Sequence, residues 1–146
     1  MTFFLNLGMW DYSIIGDLMN KDRSIFIKGN IPSSKNSKQW TGKMLINSKT
    51  VRAYEKNYSF QWYLQENIKK IKELLKGKSK PYRIGFYFIR DSARKFDYIN
   101  AAQLPCDLMV KAGMIDDDNC NEIIPVFMGY EVDKKNAGIR ITVLDD

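Results

Sequence analysis

Three consecutive aspartates, Asp116, Asp117 and Asp118, stand in the stretch KAGMIDDDNCNEIIPVF, residues 111–127 of a 146-residue chain with a net charge of +6. Like charges side by side repel one another, so either water bears that cost on an exposed turn or a cation does. The chain has no histidine. Its absence removes Ser-His-Asp and Cys-His catalysis, HNH-type nuclease centres and ordinary zinc sites. Hydrolytic chemistry is then left to carboxylates holding a hard cation, and oxygen ligands of that kind suit Mg²⁺ or Mn²⁺. The two cysteines, Cys106 and Cys120, lack CxxC spacing. They read as buried, inert thiols in a reducing cytosolic compartment.

Opposite charge gathers elsewhere. Between Lys28 and Lys56 stand Lys35, Lys38, Lys43, Lys49 and Arg52, with Glu55 the only acid. Lysines on a flexible loop suit phosphate contacts, because each reaches a backbone oxygen and releases a counterion. A second cluster, from Lys69 to Lys80, reads as a soluble helix face, and a third comprises Arg90, Arg94 and Lys95. Trp40, in a loop with Asn36 and Gln39, is expected to anchor that loop by partial burial, with stacking on a base as the alternative.

Behind these residues the pattern predicts an α+β domain, a small mixed sheet with two helices packed on it. A strand is expected at Ser24–Lys28, closed by Gly29, Asn30 and Pro32. A short extended piece covers Met44–Ile46. Ser48 caps one long helix from Lys49, whose apolar stripe runs through Val51, Tyr54, Tyr58, Leu64, Ile68, Ile71 and Leu75 to a stop at Gly77. YRIGFYFIR, residues 82–90, alternates as a strand. A second helix is capped by Asn100 with Gln103 completing the box, carries Pro105 as a kink or tight turn, and stops at Gly113. Final strands are expected at about Ile123–Gly129 and Gly138–Leu144. Residues 1–23 are expected to form an N-terminal extension, reading as neither a signal peptide nor a membrane span, and residues 24–146 the domain.

The stretch KFDYINAAQLPCDLMVKAGMIDDDN resembles the signature region of RusA-like Holliday junction resolvases. Asp97, Asn100, Asp107, Lys111, Ala112, Gly113, Asp117 and Asp118 fall on the family's pattern, as do Asn36 and Tyr54 upstream. The resemblance covers about residues 24–144. It implies a RusA-like fold and a homodimeric, Mg²⁺-dependent (or Mn²⁺-dependent) endodeoxyribonuclease that cuts four-way DNA junctions in recombination and repair. Asp97 and Asp118 would be the main ligands and Asp117 an additional carboxylate, making these the catalytic positions. Lys28, Lys35, Asn36, Lys38, Lys43, Arg52 and Lys95 are the expected DNA contacts. No membrane and no nucleotide cofactor is implied, and the setting is the cytosol of a bacterium or phage-infected host. Two positions depart from the family: Ile99 stands for its second aspartate and Gln103 for its lysine. Asp116 or Glu122 could replace the carboxylate, and Lys95 or Lys111 the charge.

That departure leaves a branched-DNA-binding protein without cleavage as the second reading, and a cation-stabilised interaction module as the third. Geometry adds a question. A helix from Asn100 to Ala112 is about 20 Å long, so Asp97 and Asp118 meet only if the chain runs straight back or two subunits share the site.

Overall fold

The computed structural model describes residues 23–33, 38–42 and 45–146. The expected N-terminal extension therefore lies almost wholly outside the described residues, as do Lys35, Asn36 and Lys43. Six strands and three α-helices are described: β1 (Ser24–Lys28), β2 (Lys38–Trp40), β3 (Leu45–Asn47), α1 (Lys49–Tyr58), α2 (Gln65–Leu75), β4 (Tyr82–Arg90), α3 (Tyr98–Lys111), β5 (Ile123–Val132) and β6 (Gly138–Val143). Four of the strands make one mixed sheet in the order β1-β6-β4-β5, and β2 with β3 makes a separate hairpin. β6 runs antiparallel to both β1 and β4, whereas β4 and β5 are parallel and α3 is their crossover. The α+β class stands as expected, with three helices among the described residues where two were expected.

Alternation decides which side of the sheet is the core. Register sets Phe86 opposite Ile141 and Ile25 opposite Ile141, so one face collects Ile25, Ile27, Ile84, Phe86, Phe88, Ile139, Ile141 and Val143. Tyr54 of α1, Ile71 and Leu75 of α2, and Ala101 and Met109 of α3 bury against that face. Each large apolar side chain removed from water contributes about 1.5–3 kcal/mol.

The single long helix does not form. α1 ends at Tyr58, a 3₁₀ helix covers Ser59–Tyr63, and Leu64 is extended before α2. The cause is tertiary. The Gln61 side-chain amide donates to the Lys28 carbonyl at 2.8 Å, and its oxygen accepts from the Lys28 N–H at 2.9 Å, as a neighbouring strand would on this sheet edge. Trp62 enters the core and donates its indole N–H to the Tyr54 hydroxyl at 3.0 Å. Docking these two side chains outweighs a continuous apolar stripe.

Ser48 does cap α1, its Oγ accepting from the Val51 N–H. α3 begins earlier than expected: Asp97, not Asn100, occupies the cap position, and Asn100 lies inside the helix. The helix is continuous through Pro105. It ends where Gly113 takes φ +80°, with Met114 N–H bonded to the Met109 carbonyl and Gly113 N–H to that of Val110. This pair of bonds is the Schellman stop. β5 extends three residues beyond expectation and carries a bulge opposite Phe86–Phe88, with Gly129 at φ +108°. The extra residue puts Phe127 and Tyr130 on the same face.

Candidate nucleic-acid interface

Because β1, β4 and β5 all point the same way, their C-terminal ends and the β5–β6 turn meet at one end of the sheet. A cleft of about 680 Å³ opens there. Its exposed charged rim is Lys28, Arg94, Lys95, Lys134 and Lys135, against one acid, Asp91. The floor is built closely. Gly29 sits at φ +112°, and a Cβ on it would lie 2.5 Å from the Tyr58 ring. Only glycine allows that turn. Asp133 accepts from Lys135 N–H and from the Asn136 amide, fixing the 3₁₀ helix Lys134–Asn136 that presents the two lysines.

Arg90 lines the same cleft but is not a surface cation. It is buried, donates to the Ile31 carbonyl at 2.6 Å and to Ser33 Oγ at 3.3 Å, and lies 4.4 Å over the Phe96 ring. Burial lowers its pKa. Its work is to tie the 29–33 loop to the start of α3. Phe96 packs edge-on to Tyr130 at 5.2 Å, and Tyr98 stacks on Phe127 at 5.3 Å. These contacts hold Asp97, between the two aromatics, at the cleft end of the sheet. Its carboxylate accepts from the Asn100 amide at 3.3 Å.

The three aspartates lie at the other end, before β5. Register confirms the separation: Tyr82 pairs with Ile123 and Arg90 with Val132, so the loop before β5 adjoins the start of β4. Asp116 is paired with Lys80 at 3.0 Å, and Lys80 also reaches Glu122 at 2.7 Å. Both carboxylates considered as replacements for Ile99 are thus held by a lysine. Asp117 accepts from the Asp118 N–H and the Asn119 amide, which lower its pKa. Asp118 differs. Its pKa is raised, first by burial, then by its hydrogen bond with Asp117 and the charge of Asp107.

Asp97 and Asp107 are about 15 Å apart along the helix axis at 1.5 Å per residue. The chain leaves α3 through the Gly113 stop and buries Met114 and Ile115 rather than running straight back. One protomer does not bring Asp97 to Asp118, and among the described residues no three Asp, Glu or Cys side chains converge as a metal-holding group. Asp117 and Asp118, adjacent in sequence and joined by a hydrogen bond, are two carboxylates and not a complete ligand set.

The other expected contacts divide. Lys28 and Lys95 line the cleft. Arg52 does not, since Thr50, Ala53, Tyr54 and Asn57 turn the opposite side of α1 toward it. The backbone of Lys38 lies on β2. Trp40 is 68% exposed, which overturns the anchoring role and leaves its face open to stacking. Cys120 is exposed, contrary to expectation, while Cys106 is buried and its thiol is pushed up to about 12, first by burial, then by Asp118 and Asp107. Sequence reading passed over Lys134 and Lys135, whose only signal was a KK pair in a turn between two strands. Among the described residues no helix is long and apolar enough to cross a membrane. Comparison with protein-family models and with curated proteins gives no match to this sequence.

Proposed function

We propose that this protein is a divalent-metal-dependent endodeoxyribonuclease that resolves four-way DNA junctions as a homodimer, as its resemblance to RusA-like enzymes implies. The observation that carries this reading is the cationic cleft, which opens beside the loop delivering Asp97 to α3. Five exposed cations against one acid suit a phosphate backbone. Trp40 adds an open ring face for a base.

The acids support a site shared between subunits. A two-fold axis that lays α3 antiparallel to its mate sets Asp97 beside Asp118 of the partner subunit, and does so twice. Two equivalent centres match the two opposed cuts that a junction needs. The surface available for that pairing is apolar: Ile99 is 71% exposed at the start of α3, and Phe127, Tyr130 and Val132 are exposed on β5, an edge strand. Apolar and aromatic patches of this kind are what subunit interfaces bury. The bound cation would neutralise phosphate charge and activate water.

A second reading, branched-DNA binding without cleavage, is favoured by Ile99 and Gln103, which present no carboxylate and no ammonium on the exposed side of α3. Mixed dimers separate the two. Asp97→Asn and Asp118→Asn are each expected to bind a labelled four-way junction without cutting it. Mixing them should restore nicking at one of the two centres, because one shared site regains both aspartates. Junction cleavage at the parental rate by either variant alone removes that aspartate from the mechanism, and no cleavage by any form, parent included, leaves the binding protein.

A further inference from the structure

The loop before β5 carries Asp116, Asp117, Asp118 and Glu122, and the chain itself supplies a cation to it. Lys80, just ahead of β4, sets its ammonium 3.0 Å from Asp116 Oδ2 and 2.7 Å from Glu122 Oε2. The two contacts differ in strength. Asp116 is exposed, so its half is screened by water and weak. Glu122 Oε2 is buried, and a carboxylate oxygen out of water needs the opposite charge that faces it. Glu122 first, then Asp116, raise the pKa of the lysine and so keep it charged. One ammonium therefore closes the loop: residues 116 and 122 meet the same atom, although the stretch between them could extend to about 20 Å.

Inside that closure the backbone folds on itself. The Asp118 N–H donates to Asp117, the Asn121 N–H to Asn119 Oδ1 at 2.9 Å, and the Glu122 N–H to the Asn119 carbonyl at 3.0 Å. These bonds all stay within the loop. Its ties to the start of β4 are the Tyr82 N–H, which donates to the Glu122 carbonyl at 2.8 Å, and Lys80. We infer that Lys80 is a positioning residue: by drawing Asp116 and Glu122 onto one ammonium it fixes the turn between them, and so the direction in which Asp117 and Asp118 are presented. Its part in cleavage rests on the nuclease reading above; the closure of the loop does not. Side chains that orient metal ligands without ligating the metal themselves change its affinity or the activity by about 10- to 100-fold when lost.

The test uses the full chain as Lys80→Met, which keeps the stem and removes the charge, and Lys80→Arg, which restores it. Lys80→Gln, with a neutral donor left for Glu122, replaces the first variant if circular dichroism shows that Lys80→Met does not fold. Without metal, amide hydrogen exchange followed by mass spectrometry should be faster across 116–122 in the neutral variant, parental in α3, and parental throughout in Lys80→Arg. With a labelled four-way junction, the neutral variant should need roughly 10- to 100-fold more Mg²⁺ for half-maximal cutting, recover most of its rate at saturating Mg²⁺, and be rescued by arginine. A general folding defect would instead lower the rate at every Mg²⁺ concentration. Parental exchange across 116–122 overturns the inference, as does a parental Mg²⁺ requirement in a neutral variant that cuts. A parent that gives no product at any Mg²⁺ or Mn²⁺ concentration fails differently: it removes the nuclease reading, and the role in cleavage with it, while exchange still decides the closure.

Discussion

Salt dependence offers a quantitative test of the cleft. If Lys28, Arg94, Lys95, Lys134 and Lys135 each neutralise one phosphate, log K should fall against log salt with a slope of about −4.5 for each cleft engaged, which is roughly a 500-fold loss of affinity per cleft between 50 and 200 mM. Replacing Lys134→Ala and Lys135→Ala together removes two contacts from each cleft, so the slope per cleft should move to about −2.7 and the loss over the same range to roughly 40-fold per cleft. The loop should survive the change, because Asp133 bonds the Lys135 N–H and the Asn136 side chain rather than either lysine side chain. Anisotropy of a labelled four-way junction, titrated without divalent cation across that range, reads the slope directly. Lys69→Ala with Lys72→Ala, exposed on α2 and outside the cleft, should leave it unchanged. A steep parental slope that the Lys134/Lys135 variant keeps would mean that DNA lies elsewhere on the protein.

Other outcomes follow from single contacts. Gly29→Ala drives a methyl into the Tyr58 ring at positive φ, and should cost about 2–4 kcal/mol in urea unfolding, from backbone strain plus overpacking; a loss under about 0.5 kcal/mol contradicts the tight floor. Gln61→Leu strips the two bonds to the Lys28 backbone and should destabilise by about 1–3 kcal/mol. With Ellman's reagent, Cys120 should react at once and Cys106 only on unfolding; two fast thiols would contradict the burial of Cys106. Asp118 has a pKa raised in the folded state, so its contribution to stability is present while it is protonated and is lost as pH rises through that folded value. Asp118→Asn should therefore be more stable than the parent at pH 7, with the gain gone at pH 3; a gain that grows on acidification contradicts the sign.

What could be read in the sequence was local. Ser48 as a cap, Gly113 as a stop and the alternation of residues 82–90 are each decided within a turn or a strand, and the structure has them where they were expected. The break between α1 and α2 was hidden because its cause, the Lys28 backbone on the β1 edge that Gln61 grips, lies 33 residues away in sequence. Lys134 and Lys135 were hidden for a related reason, since only the strand order brings their turn to Lys28 and Lys95. Charge counting also misjudged Arg90, a cation by type and a core brace by position. For the acids, spacing along the chain was visible, but the direction of return after α3 was not, because the burial of Met114 and Ile115 decides it.

The most direct measurement incubates the purified full chain with a labelled four-way junction and a linear duplex of the same sequence, with and without Mg²⁺, and scores binding and cutting in one gel. The account predicts preferential retention of the junction in both conditions, and paired symmetric incisions only when Mg²⁺ is present. Equal affinity for the two DNAs, or junction binding with no product at any Mg²⁺ or Mn²⁺ concentration, would contradict it.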